Sequence, residues 1–258
     1  MTLFVSHGAP NLVLHNSEAR SFLAAYGRNL SDYRGILVVS AHYEAPEPHL
    51  TAGAHPPMIY DFGGFEPELR TIVYPAPGSP LLAAEAAEAL RAAGFAPSLD
   101  ERRGYDHGTW VPLALLRPEA DLPVVQLSVS PNHDAAWHYQ MGEALRPLAE
   151  SGVLIIGSGA ATHNLHEFFR GGYRFDTPAP DWVRAFGNWL DEKATQGDVP
   201  SLLDYRRSAP FGRENHPTEE HLLPFFVALG AAGEGARGER IHSSHQYGVL
   251  MMDCYAFA

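Results

Sequence analysis

"ILVVSAHYE", residues Ile36 to Glu44, decides the fold. Its apolar run from Ile36 to Val39 is unbroken, as in a strand buried on both faces, where a half-exposed strand would alternate with polar residues. The run passes through Ser40 and Ala41 into His42. The same shape recurs in "LFVSHGAP", Leu3 to Pro10, which delivers His7, and in "VLIIGSGAATHN", Val153 to Asn164, which places His163 just past a glycine turn. Strands are therefore expected over Leu3–Val5, Ile36–Ser40, Val124–Val129 and Val153–Ile156, with a last one over Val249–Tyr255.

Helical patterns fall between these runs. Ser17–Leu30 opens on a serine cap. "SPLLAAEAAEALRAAGF" has Ser79 as cap, Pro80 in the first turn and Gly94 as stop. "NHDAAWHYQMGEALRPLAESG" reads as helix ending by Gly152, and "APDWVRAFGNWLDEKATQGD" as helix from near Pro180 to Gly197. Strands alternating with helices predict an α/β fold: a single domain over residues 1–258, with a central, mostly parallel sheet flanked by helices. In such sheets ligands bind outside the carboxyl ends of the strands, and His7, His42 and His163 all fall there. A metal site at that edge is the expectation.

The totals narrow the partners. A net charge of −12 argues against nucleic acid, whose binders concentrate Lys and Arg, and against an anionic membrane surface. Cys254 is the single cysteine and reads as a core residue of the last strand, so no intramolecular disulfide forms and a reducing, cytoplasmic setting is expected. No basic leader followed by an apolar stretch and no membrane-spanning run is evident. Fourteen histidines against 18 Lys plus Arg is the compositional oddity. Histidine is the commonest metal ligand and the acid–base group of neutral pH.

Further motifs are ambiguous by spacing alone. "ENHPTEEHLLPFF" offers His216 and His221 equally, with Glu219 and Glu220 in a possible first helical turn and Pro224 interrupting it. "GYDHGTWVPL" sets Asp106 beside His107, which by itself reads as a surface turn, although a carboxylate there would orient an imidazole. The stretch from Glu44 to Pro80, rich in Pro, Gly and aromatics, reads as a long functional loop. Gly233–Arg240 reads as a surface turn. The glycines of "GSGAATHN" match neither a phosphate loop nor a dinucleotide fingerprint and imply a tight turn or close approach to the backbone.

Together "SHGAP", "VVSAHY", "YDFGGFEPELRTIVYPAPGSP", "YDHGTWVPL", "VVQLSVSP", "GSGAATHNL" and "HPTEEHLLP" resemble the class III extradiol ring-cleaving dioxygenases of the LigB-like superfamily, in the branch acting on DOPA. The resemblance runs through most of the chain, and it departs from the common pattern at Ala9 and Tyr43. It implies one divalent metal held by His7, His42 and, in place of the undecided pair, His221. His163 would be the acid–base catalyst and in a resting state also a ligand. His107 would line the substrate pocket as a second catalytic residue, hydrogen-bonding an oxygen of O2 or of the substrate, with Tyr43, Tyr60, Phe62 and Tyr105 on the substrate side. The implied partners are a catechol and O2. Turnover would need Fe(II), while an all-imidazole site also retains Zn(II) on purification. Basic residues such as Arg70 or Arg213 could hold a substrate carboxylate, and the sequence does not rank them. Two rival readings are a zinc hydrolase, with Glu219, Glu220 or Asp106 as base, and a non-catalytic metal-binding adaptor on the same scaffold.

Overall fold

The computed structural model describes residues 1–30 and 32–258. In chain order the elements are β1 (Thr2–Ser6), α1 (Glu18–Tyr26), β2 (Gly35–Glu44), β3 (His49–Thr51), α2 (Pro80–Ala92), β4 (Ser98–Asp100), α3 (His107–Leu116), β5 (Val124–Val129), α4 (Ala135–Glu150) and β6 (Val153–Gly159). They continue as α5 (Leu165–Arg170), α6 (Asp181–Gln196), the short helices α7 (Val199–Leu203), α8 (Tyr205–Ser208) and α9 (Gly212–Asn215), then α10 (Leu223–Ala232), β7 (Gly238–His242), β8 (His245–Gln246), β9 (Leu250–Met251) and β10 (Cys254–Phe257).

One eight-stranded sheet runs β4-β3-β5-β2-β6-β1-β10-β7. Its centre, β5-β2-β6-β1, is parallel, while β10 and β7 pair antiparallel at one side. Neighbouring residues of a strand face opposite sides, and the central strands use both. Ile36, Val38, Val124, Leu154 and Ile156 pack under α1 and α3. Leu37, Val39, Val125, Leu127, Val153 and Ile155 pack under α2, α4, α6 and α10. Continuous apolar runs follow from this double burial. The single α/β domain with a mostly parallel sheet and helices on both faces is thus the observed architecture.

Helix ends follow the sequence signals. The hydroxyls of Ser17 and Ser79 accept from the backbone N–H of Arg20 and Leu82. α6 stops at Gly197, which adopts the left-handed conformation with φ 69°. Pro224 lies in the first turn of α10, where its missing N–H has no intrahelical partner to lose. α3 and α10 are apolar on every side and buried.

Three expectations are corrected. Residues 238–242 form the edge strand β7, not a surface turn, because β10 supplies its hydrogen-bonding partner. The last apolar run is not one strand: it breaks at Met252 and Asp253 into β9 and β10, and Asp253 is fully buried beside Arg240. Asp106 and His107 are not a surface turn either. Asp106 is the buried N-cap of α3, its carboxylate accepting from Thr109 N–H, and His107 is the helix's first residue.

Candidate metal centre

Five imidazoles meet at the carboxyl edge of the parallel strands. His7 follows β1, His42 lies near the end of β2, and His163 follows β6 after a short turn. His107 opens α3 and His221 sits in the turn before α10. The His7 and His42 rings are 4.9 Å apart, His42 and His107 3.9 Å, and His221 is 4.9 Å from His42 and 5.6 Å from His7. His163 stacks on His221 at 3.4 Å, with the ring planes 12° apart. Ring nitrogens of His7, His42 and His107 lie within 4.8 Å of one another, and so do donor atoms of His163, Glu220 and His221.

The backbone builds this convergence by close packing. A Cβ on Gly157 would lie 2.2 Å from the Pro224 carbonyl oxygen, and one on Gly159 2.0 Å from that of His221. No side chain fits there. Ala160 N–H then donates to His221 O at 2.9 Å, and His7 N–H to Gly159 O at 3.0 Å. The glycines of "GSGAATHN" therefore serve a close approach, but of another stretch of the chain.

Hydrogen-bond partners assign the tautomers. The Ser158 hydroxyl donates to the Gly108 carbonyl, so towards His7 Nδ1, 3.0 Å away, it accepts. Glu220 Oε1 accepts from His221 Nδ1 at 2.9 Å, and Asp61 Oδ1 from His107 Nδ1 at 2.9 Å. Carboxylates only accept, so in all three rings the proton sits on Nδ1 and the Nε2 lone pair is free for a cation. His7 Nε2 and His42 Nε2 face each other at 3.0 Å. Two lone pairs at that distance repel unless a proton or a metal cation lies between them. The donor set fits a divalent metal that prefers imidazole nitrogen.

The electrostatics agree. Burial, then the neighbouring imidazoles, pushes His7 and His221 well below the ordinary histidine range. Burial lowers His42 to about 3 and His163 to about 4. All are neutral at pH 7, as a ligand must be. For Asp61 burial alone would raise the carboxyl, but the hydrogen bonds and charge of His107 outweigh it and bring it to about 2. Two further imidazoles away from the cluster behave alike: burial holds His138 at about 4 and His216 at about 3.

A pH dependence follows. In the unfolded chain each histidine binds a proton near pH 6.5, which the folded protein refuses until about pH 3–4. Stability is therefore full above about pH 6.5 and lost as pH falls, by up to about 1.4 kcal/mol per pH unit for each such group. Metal-free protein should lose melting temperature steeply between about pH 6 and pH 4. A melting temperature that stays flat from pH 7 to 5 in scanning fluorimetry would contradict this.

Beside the cluster opens a cavity of about 600 Å³. One wall, from the Glu44–Pro80 stretch, carries Phe62, Phe65 and Glu66; another, from α5, carries Leu165, Phe168 and Phe169. Of the aromatic residues expected on the substrate side, Phe62 lines this cavity, and Tyr43, Tyr60 and Tyr105 do not. Tyr43 follows His42 in a strand and so faces the other way, where the Arg103 guanidinium lies 3.7 Å over its ring. Tyr60 donates to Ile72 O at 2.7 Å. Tyr105 is fully buried and donates to Val124 O at 2.9 Å. His216 is also outside the cluster: it is buried against Phe186 and Tyr205, with Nε2 on Ala161 O.

Sequence reasoning missed Asp61 and Ser158, which orient His107 and His7. It gave Glu220 another role, that of a helix turn or a base. Asp61 follows Tyr60 with no spacing to mark it. Ser158 sits between two glycines, and that position was the one available signal. The other carboxylates named as bases are engaged elsewhere: Asp106 accepts from Ser40, Gln126 and Arg103, and Glu219 accepts from the Tyr205 hydroxyl.

A histidine cluster able to hold a metal ion on the carboxyl edge of a parallel sheet, next to an aromatic-walled cavity, is the arrangement of a metalloenzyme acting on small, largely apolar molecules. Residues 4–257 match the family described as the catalytic LigB subunit of aromatic ring-opening dioxygenase. A protein of Portulaca grandiflora named 4,5-DOPA dioxygenase extradiol is 42% identical over 261 residues, covering 99% of this chain and 95% of its own. The protein of the same name from Beta vulgaris is 40% identical, covering 99% and 96%. The one from Escherichia coli K12 is 38% identical, covering 89% and 84%. The crystal structure of an uncharacterized Escherichia coli K12 protein superposes with a TM-score of 0.81 at 32% identity, over 98% of each chain. The chain belongs to the LigB family, and it is an extradiol aromatic ring-opening dioxygenase, an oxidoreductase that incorporates O2 into an aromatic ring. Among the described residues no helix is long and apolar enough to cross a membrane.

Proposed function

We propose that the whole chain forms one catalytic domain that cleaves a catechol bearing a short side chain, of the DOPA type named for its relatives, into a ring-opened semialdehyde. The observation that carries this is the convergence of neutral His7, His42 and His221 beside a cavity walled by aromatic residues. These three would hold one divalent metal, Fe(II) for turnover. The metal supplies the electronic coupling between the ring and O2 that a spin-forbidden direct reaction lacks.

The chain's own groups do the rest. Ser158 and Glu220 fix the rings of His7 and His221, which leaves those imidazoles pointing one way whether or not substrate is bound. His163, neutral and beside His221, takes a proton from a catechol hydroxyl oxygen and returns one to the opening product. His107, held by Asp61, donates to or accepts from an oxygen of the substrate pair. Phe62 and Phe168 exclude water from the ring. Both oxygen atoms of O2 enter the product, and the carbon–carbon bond beside the two hydroxyl-bearing carbons breaks.

Anaerobic loading with Fe(II), followed by a catechol in an oxygen electrode cell, should show uptake of one O2 per catechol consumed. Zn(II)-loaded protein should show none, because zinc has no accessible redox change. No uptake by the Fe(II)-loaded protein with any catechol, together with metal-dependent ester or amide hydrolysis, would favour the hydrolase reading instead.

A further inference from the structure

The cavity beside the metal centre is one-sided in charge. Among the described residues that line it, Glu66 is the one acidic side chain, the cluster imidazoles His7, His42, His163 and His221 are neutral, and no Lys or Arg lines it. Glu66 lies at the Asn11 side of the cavity, its carboxylate held by Asn11 Nδ2 at 3.3 Å and by His15 Nε2 at 2.5 Å. These contacts fix the carboxylate in place and leave it partly exposed.

The basic residues that sequence offered as carboxylate anchors stand elsewhere. Arg70 donates to the Phe62 carbonyl at 3.1 Å, with its guanidinium 5.9 Å from the Phe62 ring, and is not part of the cavity wall. Arg213 belongs to α9 and is not part of it either. A substrate carboxylate pointing away from the metal centre would leave water for phenylalanine, leucine and methionine side chains, with no Lys or Arg in the cavity wall to receive it. The whole chain adds to this with its net charge of −12, which disfavours approach of anions and favours cations.

Building on the catechol reading above, we infer that this site selects catechols whose side chain ends in an ammonium group over those ending in a carboxylate, and that Glu66 is the residue that reads that charge. The catechol oxygens go to the metal centre and the ring to the aromatic wall. The side chain then points to the mouth, where Glu66 accepts a hydrogen bond from the ammonium. An amino acid side chain carries both charges and gains on one what it loses on the other.

The test compares dopamine, dihydrocaffeate and neutral 4-methylcatechol on the Fe(II)-loaded enzyme by oxygen uptake. Dopamine and dihydrocaffeate share the ring and a two-carbon arm and differ in terminal charge. kcat/KM should be about tenfold or more higher for dopamine than for dihydrocaffeate, with 4-methylcatechol between. Glu66→Gln should bring the dopamine-to-dihydrocaffeate ratio towards one, chiefly through KM, since the carboxylate binds without touching the reacting atoms. Dihydrocaffeate equal to or ahead of dopamine overturns the inference, and so does a ratio that Glu66→Gln leaves unmoved. Uptake with none of the three, 4-methylcatechol included, overturns the catechol reading and this inference with it. That failure is recognisable because it does not depend on side-chain charge.

Discussion

Replacing His163 with alanine is expected to lower kcat by about 10²–10⁴-fold, the usual worth of a positioned acid–base group, while metal content stays near one ion per chain. The expectation rests on placement. His163 stacks on His221, with ring centroids 3.4 Å apart, and its Nδ1 lies 4.0 Å from Glu220, too far for the direct bond that fixes His221. It is therefore the least tethered imidazole of its group and the one able to change partner during a reaction. Burial keeps it neutral at working pH, with its lone pair unprotonated. Metal analysis and oxygen uptake on the same preparation decide the matter. If alanine removes the metal along with activity, His163 is a ligand and the acid–base role is lost. If added imidazole restores turnover to the variant, the role is supported directly.

Asp106→Ala is expected to cost about 3–5 kcal/mol of stability, the range for removing one partner of a buried ion pair. For a chain of this size that lowers the melting temperature by roughly 6–20 °C. Asp106 is fully buried and gathers Ser40 Oγ at 2.7 Å, Gln126 Nε2 at 2.5 Å, Arg103 Nη2 at 3.0 Å and the N–H of Thr109 at 3.2 Å. Alanine would strip the cap from α3 and leave the Arg103 guanidinium without its carboxylate. Arg103 also donates to the His42 carbonyl at 3.2 Å, so the damage should reach the metal centre. Asp106→Asn, which retains acceptors for Ser40 and Thr109, should cost less. A melting temperature within about 2 °C of the parent for the alanine variant would show that this network is dispensable.

The sheet was legible because its central strands are buried on both faces, which writes an uninterrupted apolar run into the sequence. Helix starts at Ser17 and Ser79 were legible because capping uses local chemistry. What failed was non-local. β7 carries Glu239 and Arg240 and has no periodic signal; it is a strand because β10 offers it a partner. Asp106 looks like a turn residue because N-caps and turns draw on the same side chains. Within the centre, His7, His42 and His163 stood out by their place after strands, while His107 and His221, which lie at helix starts, did not. Asp61 and Ser158 act through space on His107 and His7, which lie 46 and 151 residues away in sequence. Tyr43 lies away from the cavity because neighbouring residues of a strand face opposite sides, and His42 takes the side of the centre.

The backbone-to-backbone seat of the His221 turn on β6, where neither Gly157 nor Gly159 leaves room for a methyl group, has a consequence for assembly. The strand leading to His163 and the turn bearing His221 are more than fifty positions apart along the polypeptide, yet they are positioned by one contact. An ion held by His7, His42 and His221, as proposed above, would draw on both the front and the back half of the chain and register only molecules in which that docking has finished. Metal uptake during refolding would then be a clock for completion of the tertiary structure, and a methyl group at Gly159 would stop that clock while leaving helical content nearly intact.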